Sequence, residues 1–387
     1  MSQVKPGLEV LIEEKLDLVK GKRVGVVTNH SAVTSDTTHI VDALLNAGVN
    51  ITALYGPEHG VWGHVADGQE IESGKDPRTG IPVFSLYGPT KRPTPEMLDL
   101  VDVIIYDLQD VGVRFYTFTY TMSYTMQACA ESGKKFIVLD RPNPINGTAV
   151  EGKILDPKFA SFVGLHPIPM RHGMTIGELA RMFNEEYGFN ADLEVIACKG
   201  WERCMWFDET GLPWVMPSPN MPTVETALLF PGLGLIEGTN VSEARGTTKP
   251  FEMFGAPWVD AFKTADHLNG LELAGVRFRA TYFIPLTSKH KDQPCSGVQI
   301  HIMDRDQVNA VEVGLHVVKS LQDLHPGDFQ YRERNASTGR THLDLLAGTN
   351  ETQNALQAGV PVKEIIASWA AEQEKFLETR WSYLQYR

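Results

Sequence analysis

The sequence has few of the features that mark several common protein classes. It contains 4 cysteines among 387 residues and no CxxC spacing, so we expect free thiols rather than a disulfide framework or a zinc site. No apolar run reaches transmembrane length. The N-terminal segment carries acidic residues where a signal peptide would be apolar. The chain as written is therefore predicted to be cytoplasmic, or periplasmic or secreted if a signal peptide has been trimmed from it.

Positive charge is also scarce. The chain has 35 Lys and Arg residues against 48 Asp and Glu residues, a formal net charge of −13, and no dense basic run. This charge disfavours nucleic acid and anionic membranes as principal partners. The hydrophobic fraction of 42% is ordinary for a globular protein, and the length predicts two domains. The oligomeric state is not indicated by any feature of the sequence.

The first part of the chain alternates strand-like and helix-like segments. The predicted strands are VGVVTNH, NITALYG, IPVFSLYG, VDVIIYDLQ and KKFIVLDRP. The predicted helices between them are DTTHIVDALLNAG, PTPEMLDL and FTYTMSYTMQACAESG, and a later helix has Thr175 as its N-cap with Glu178 as the capping-box partner. This alternation predicts an α/β fold with a Rossmann-like, doubly wound, mostly parallel sheet in residues 1–230.

The pattern changes towards the C-terminus. VRFRATYFIP and SGVQIHIMD are predicted strands, QVNAVEVGLHVVKSLQDLH is a predicted helix, and VKEIIASWAAEQEKFLETRWSYLQ is predicted to be one long amphipathic helix. Trp369, Phe376 and Trp381 of this helix are expected in the core. We therefore predict a smaller α+β domain in residues 231–387.

Polar residues follow the predicted strands where each strand ends. In open α/β sheets, ligands bind beyond the carboxyl ends of the strands, so these side chains should collect on one rim. The candidates at the strand ends are Asn29, Glu58, His59, Asp107, Asp110, Asp140, Arg141 and Asn143. Later polar loops add Arg114, Glu151, Arg171, His172, Asn220, Glu237, Asn240, Glu243 and Arg245. Such a rim suits a small polar substrate.

Glu58 is the best-placed general acid among these residues. It follows a predicted buried strand and precedes Val61 and Trp62, and desolvation by an apolar wall raises the pKa of a carboxyl group. A second carboxylate would complete the pair that glycoside hydrolysis uses.

Two alternatives to this reading are open. The first is a metal-dependent hydrolase with His59, His64 and Asp67 as ligands, although this spacing matches no standard zinc motif. The second is a non-catalytic amino-sugar-binding protein. Acyl transfer is disfavoured, because the sequence has no GxSxG motif.

Several blocks of the sequence resemble the signature blocks of the exo-acting β-N-acetylmuramidase family, long catalogued as a domain of unknown function. The blocks are VGVVTNHSAV, LYGPEHGVWG, YDLQDVGVRFYT, DRPNPINGTAVEG, RHGMTIGELA and EGTNVSEARGT. The resemblance spans almost the whole chain. It implies a Rossmann-like N-terminal domain, an ancillary C-terminal domain that closes the active-site cleft, and no metal or other cofactor.

The resemblance also implies a reaction and its residues. The expected reaction is release of N-acetylmuramic acid from the non-reducing ends of peptidoglycan fragments, in cell wall turnover and recycling. Glu58 matches the glutamate of the PEHG motif, and Glu151 ranks ahead of Glu243 as the second carboxylate. Muramic acid carries a lactyl carboxylate, so its pocket needs a cation, preferably arginine. The candidates for this role are Arg114, Arg141, Arg171 and Arg245.

Overall fold

Two β-sheets frame the protein in this computed structural model, which describes residues 4–65, 69 and 73–386. The larger sheet contains β1 (Arg23–Thr28), β2 (Asn50–Gly56), β3 (Gly74–Lys75), β4 (Pro82–Ser85), β5 (Val103–Asp107), β6 (Lys135–Leu139) and β7 (Leu193–Ile196). The smaller sheet contains β8 (Met253–Ala256), β9 (Val276–Phe283) and β10 (Cys295–Ile302). The two sheets thus come from successive parts of the chain.

The larger sheet is doubly wound, as predicted. Its strand order is β3-β4-β2-β1-β5-β6-β7, and all neighbouring pairs are parallel except β3 with β4. The chain first extends the sheet on one side of β1 and then continues from β5 on the other side. The topological switch point therefore lies between β1 and β5. The five predicted strands are confirmed, whereas β7, with only one of its four residues buried, was missed by the sequence pattern.

Helices account for most of the remaining regular structure. Those in the first part of the chain are α1 (Gly7–Glu14), α2 (Ile40–Asn46), α3 (Pro95–Leu98), α4 (Phe118–Glu131) and α5 (Ile176–Glu186). Those in the second part are α6 (Val224–Leu233), α7 (Ala261–Gly270), α8 (Ala310–Leu324), α9 (His342–Ala347), α10 (Glu351–Gln357), α11 (Val362–Ala367) and α12 (Ala370–Trp381). Within the described residues, no helix has both the length and the apolar character needed to cross a membrane.

Alternate residues of the central strands supply two separate cores. In β5, Val103 and Ile105 pack in the core that includes α1 and α2, whereas Ile104 and Tyr106 pack in the core that includes α4 and α5. This alternation follows from the two-residue period of a strand. Both faces of the sheet are therefore covered, and the site must lie at an edge of the sheet.

The smaller domain is α+β, as predicted. In its antiparallel sheet β10 lies between β8 and β9, and α6 packs closely on α8. Gly232 and Gly314 permit this approach, because a Cβ on either residue would meet the backbone of the other helix at about 2 Å. The predicted boundary between residues 230 and 231 stays a prediction.

The predicted terminal helix is wrong in one respect, since the chain forms α11 and α12 with a break at Ser368 and Trp369. The Ser368 hydroxyl donates to the carbonyl of Ile365 at 2.6 Å, a local bond that competes with helix continuation. Trp369 and Phe376 are buried as expected, but Trp381 is 76% exposed. The four cysteines are free thiols, as predicted.

Candidate active site

A cleft of about 1040 Å³ opens beyond the carboxyl end of the larger sheet and is lined by residues from both parts of the chain. Seven of the predicted site residues line it: Glu58, His59, Asn220, Glu237, Asn240, Glu243 and Arg245. The cleft is at the upper end of the roughly 300–1,000 Å³ typical of ligand pockets. It is therefore larger than a single sugar requires.

Glu58 is held on a tight turn directly after β2. The Gly60 amide donates to the Pro57 carbonyl at 2.9 Å, and His59 has a left-handed backbone with φ of 71°. Thr117, which precedes α4, donates from Oγ1 to Glu58 Oε2 at 2.8 Å. This turn explains why an acid stands at the end of a buried strand, because it presents the carboxyl group to the cleft.

A row of aromatic rings lines the cleft next to Thr117. Phe115 packs edge-on against Phe230 with 5.0 Å between ring centroids, and Phe230 packs in the same way against Phe251 at 4.7 Å. The guanidinium of Arg245 lies 5.0 Å from the centre of the Phe251 ring. The row thus joins the loop after β5 to the charged residues of the second domain.

Two carboxylates in the cleft share one arginine. Arg245 lies 2.5 Å from Glu237 through Nη2 and 3.2 Å from Glu243 through Nε. Lys289 Nζ lies 2.8 Å from the second oxygen of Glu243. Ala244 has a left-handed backbone with φ of 60°, and this conformation brings the flanking Glu243 and Arg245 side chains together. We refer to Glu237, Glu243, Arg245 and Lys289 as the carboxylate cluster.

The charges around Glu237 determine its protonation state. Burial raises the pKa of the Glu237 carboxyl group, but Arg245 and His342 outweigh this effect and lower the pKa to about 2. His342 Nε2 lies 3.5 Å from Glu237 Oε2. Glu237 is therefore ionised at neutral pH and can stabilise positive charge, but it cannot act as a general acid.

Glu151 and Arg171 do not line the cleft, and their predicted role in the site stays a prediction. Arg171 Nη1 lies 2.5 Å from Glu151 Oε1, and both side chains are buried. The other Glu151 oxygen accepts a hydrogen bond at 3.1 Å from the Val311 amide, in the first turn of α8, where an anion is favoured. The carboxylate thus links a loop of the first domain to a helix of the second.

Asp107 and Arg141 also lie outside the cleft lining, although they meet at the end of the sheet as predicted. Arg141 makes two hydrogen bonds to Asp107, and both residues are buried. Asp140 accepts from the Gly177 amide at 2.8 Å, in the first turn of α5. The polar residues at the ends of β5 and β6 therefore bind loops and helices to the sheet.

The remaining predicted residues are buried and bonded to other parts of the backbone. Asn29 donates to the Pro217 carbonyl at 3.0 Å, and Asn143 donates to the Met174 carbonyl at 2.9 Å. Arg114 donates to the carbonyls of Lys153, Ile168 and Leu346, and His172 accepts from the Met174 amide and lies 3.5 Å from Asp110. None of these residues lines the cleft, and their predicted contact with substrate stays a prediction.

The predicted metal ligands are only partly described. His59 Nδ1 lies 2.8 Å from the Val65 carbonyl oxygen, and Asp67 lies outside the described residues. Across residues 4–65, 69 and 73–386, no group of three or more His, Cys, Asp or Glu side chains is placed to hold a metal ion. The metal-dependent mechanism stays a hypothesis that experiment can test.

Sequence reasoning missed several cleft residues, among them Lys91, Lys289, Arg332 and His342. These residues lie on irregular segments or, for His342, at the first position of a short helix, where no periodic pattern singles them out. Phe115 and Thr117 could have been found, because both lie in the block YDLQDVGVRFYT.

Two family models match almost the whole chain. The model described as "Exo-beta-N-acetylmuramidase NamZ, N-terminal" matches residues 24–225. The model described as "Exo-beta-N-acetylmuramidase NamZ, C-terminal" matches residues 228–386. The two matches meet near α6, which carries Phe230 of the aromatic row.

Individual proteins are similar over the same length. The peptidoglycan beta-N-acetylmuramidase NamZ of Bacillus subtilis (strain 168) is 50% identical over 385 residues, which are 99% of this chain and 92% of that protein. Crystal structures of two DUF1343 family proteins from Bacteroides fragilis NCTC 9343 have similar folds. One has a TM-score of 0.90 and 37% identity and covers 100% of both chains. The other has a TM-score of 0.78 and 32% identity and covers 100% of this chain and 99% of its own.

Proposed function

The chain belongs to the exo-β-N-acetylmuramidase family and is a glycoside hydrolase, and we propose that it acts through carboxyl groups of the cleft described above. The family resemblance of the sequence blocks is thereby confirmed. The reaction is release of N-acetylmuramic acid from the non-reducing end of peptidoglycan fragments. Family membership also disfavours the alternative of a sugar-binding protein without activity.

We propose that Glu58 is the general acid. It lies at the end of β2 in the cleft, and Thr117 orients its carboxyl group by a hydrogen bond to Oε2. A general acid must reach the glycosidic oxygen and donate a proton as the bond to the anomeric carbon breaks. The leaving sugar then departs as an alcohol, and water finally supplies the hydroxyl group at the anomeric carbon.

The carboxylate cluster supplies the complementary charge. As the glycosidic bond breaks, positive charge develops at the anomeric carbon and ring oxygen, and ionised carboxylates nearby stabilise it. Glu243 replaces Glu151 as our candidate for the second catalytic carboxylate, because Glu243 lines the cleft whereas Glu151 is bonded to Arg171 and α8. Arg245 and Lys289 position Glu243 in this scheme.

We propose that Arg332 binds the lactyl carboxylate of the substrate. Of the four arginines predicted for this role, Arg245 alone lines the cleft, and it already contacts Glu237 and Glu243. Arg332 also lines the cleft, and its amide donates to the Gly238 carbonyl at 2.9 Å, next to the carboxylate cluster. An arginine matches a carboxylate with two parallel hydrogen bonds.

The observation that carries the proposal is the presence of Glu58 and the carboxylate cluster in one cleft of a chain from this family. The test is Glu58→Gln, which removes the proton donor and nearly preserves the shape of the side chain. We expect turnover of a chromogenic muramide to fall on the order of 10²-fold or more without loss of folding. Glu374→Gln, an exposed position on α12, is the matched control. Near wild-type turnover by folded Glu58→Gln would eliminate the assignment.

Two further expectations can be tested with the same assay and with cells. A carboxyl mechanism predicts an unchanged rate after dialysis against EDTA, whereas loss of activity restored by zinc or manganese would favour the metal alternative. The cytoplasmic location stays a prediction, and fractionation of the native cells would test it.

A further inference from the structure

The strand order places β2, the strand that Glu58 follows, between two groups of side chains. Gly56 in β2 pairs with Ser85 in β4, and Glu58 and Tyr87 each follow this pair by two residues, so they are neighbours at the same edge of the sheet. β5 lies on the other side of β2, beyond β1, and is followed by Phe115. The strand order therefore puts the segment that carries Tyr87 and the segment that carries Phe115 on opposite sides of β2, the strand that Glu58 follows.

The group on the Tyr87 side combines aromatic rings with one ammonium group. Lys91 Nζ lies 4.1 Å from the centre of the Phe162 ring and 5.8 Å from that of Tyr87. The ring centroids of Tyr87 and Phe162 are 5.8 Å apart, and Tyr124 stacks on Phe162 at 6.1 Å with 4° between the ring planes. We call Tyr87, Lys91, Tyr124 and Phe162 the lysine–aromatic cluster.

The ring that supports Lys91 is fixed by its own loop. Ser161 and Gly164 exchange backbone hydrogen bonds of 2.8 and 3.1 Å, so Phe162 lies at the tip of a tight turn. Lys91 itself is exposed, and its ammonium group makes no hydrogen bond or ion pair with any residue that the structure describes. A cation–π contact holds the ammonium group in place but leaves its hydrogen-bond donors available to a ligand.

The two groups suit the two halves of a substrate. A general acid protonates the oxygen that joins the sugar being released to the rest of the fragment, so the acid lies between the subsites for these two parts. The carboxylate cluster belongs with the released sugar, where positive charge develops. The lysine–aromatic cluster, on the other side of β2, then faces the remainder of the fragment.

We propose that the lysine–aromatic cluster is a leaving-group subsite, and that Lys91 binds a carboxylate carried by the leaving oligosaccharide. The proposal rests on the proposed function. Aromatic rings pack against the apolar faces of sugars, and an ammonium group recognises a carboxylate. In a glycan that alternates N-acetylglucosamine with N-acetylmuramic acid, the second sugar of the leaving part carries such a carboxylate. The size of the cleft is consistent with more than one bound sugar.

Three substrates separate the parts of this proposal. The first is a muramic acid–glucosamine disaccharide, the second is the tetrasaccharide with a free internal lactyl carboxylate, and the third is the same tetrasaccharide with that carboxylate converted to a methylamide. We expect wild-type kcat/KM to be about tenfold higher for the free tetrasaccharide than for the other two, the modest size reflecting an exposed cation. A fourth tetrasaccharide, with a stem peptide on the lactyl group, shows whether peptide carboxylates are equally recognised.

Substitution of Lys91 tests whether this residue binds the carboxylate of the leaving oligosaccharide. In Lys91→Met the ratio of tetrasaccharide to disaccharide kcat/KM should fall about tenfold, and Lys91→Arg should keep most of the preference. The trisaccharide product gives a readout independent of turnover, since calorimetry should show its Kd rising about tenfold in Lys91→Met. Lys375→Met, at an exposed position on α12, should match the wild type in both measurements.

Two results would overturn the proposal. One is equal wild-type kcat/KM for the free and the amidated tetrasaccharide, and the other is an unchanged ratio and Kd in Lys91→Met. Either result leaves turnover of the chromogenic muramide, and with it the proposed function, untouched. Absence of that turnover would instead remove the proposed function.

Discussion

Among the described residues, five non-glycine residues with a left-handed backbone line the cleft or adjoin a residue that lines it: His59, Ala244, Phe251, Ser288 and His290. The φ angles are 71° for His59, 60° for Ala244 and 60° for Phe251, a conformation that side chains with a Cβ seldom adopt. Each of these residues lines the cleft or adjoins a residue of the proposed site. His59 follows Glu58, for example, and Ala244 separates Glu243 from Arg245. Such strain persists where surrounding contacts fix the backbone, and it is frequent at functional sites.

At the same scale, sequence could predict which polar residues meet but could not distinguish those that face the cleft. Glu58 and Glu151 both lie in signature blocks of the sequence, but only Glu58 lines the cleft. The difference arises from a partner distant in sequence, the Val311 amide. The sequence did not indicate Arg332, because this residue lies in a segment that has no regular secondary structure apart from one isolated β-bridge. Only the fold brings Arg332 beside Gly238.

The assignment of Glu151 can be tested by its stability effect. Glu151→Gln leaves Arg171 buried without its counter-charge, so we expect the free energy of unfolding to fall by about 3 kcal/mol. Urea denaturation measures this loss, and the activity of the folded fraction should stay within about twofold of wild type. A stable variant with activity reduced on the order of 10²-fold would return Glu151 to the catalytic candidates.

At the scale of helices and strands, sequence prediction succeeded where the local signal agreed with the tertiary structure. The N-cap of α5 is Thr175, and its capping box with Glu178 is present as predicted. The sequence pattern revealed β1, β2, β5 and β6 because nearly all of their residues are buried. The prediction of one continuous terminal helix failed because the apolar period of the sequence continues across Ser368. The break in the structure is accompanied only by a local side-chain hydrogen bond, which this periodicity does not reveal.

Asp140, which joins β6 to α5 and to the C-terminal segment, should make stability depend on pH. Burial raises the pKa of its carboxyl group from 3.8 to about 6, although hydrogen bonds from Tyr386 and Thr175 oppose the rise. The folded protein therefore binds this proton more tightly than the unfolded chain does. The stability that results is fully present below about pH 4 and is lost as the pH rises through 6.

Comparison with Asp140→Asn isolates this effect, because asparagine does not titrate. Between pH 4 and pH 7 the free energy of unfolding of the variant should increase, relative to that of the wild type, by about 2 kcal/mol. Urea denaturation at a series of pH values gives both curves. Parallel curves across this range would show that the Asp140 carboxyl group does not have a raised pKa.

At the scale of the whole molecule, the cleft depends on both domains. Phe115 comes from the first domain, and it contacts Phe230, which contacts Phe251 of the second domain. Glu58 and the carboxylate cluster are thus joined by a continuous row of packed rings. Neither domain alone could present an acid and a charge-stabilising group to the same sugar.

The joint cleft predicts discrimination between two sugars that differ only in the lactyl ether. N-acetylglucosamine lacks the carboxylate that Arg332 is proposed to bind, so an enzyme of this design should hydrolyse a glucosaminide more slowly than a muramide. A charge-assisted hydrogen bond contributes about 1.5 to 3 kcal/mol, and the exposure of Arg332 favours the lower end of that range. We therefore expect kcat/KM for the chromogenic muramide to exceed that for the glucosaminide at least about tenfold.

Arg332→Ala should reduce this ratio about tenfold by slowing the muramide, and Arg332→Lys should restore part of it. Arg277→Ala, an exposed position on β9, should keep the wild-type ratio. An unchanged ratio in Arg332→Ala would transfer the role to Arg245, whereas equal wild-type rates on the two sugars would contradict recognition of the lactyl group altogether.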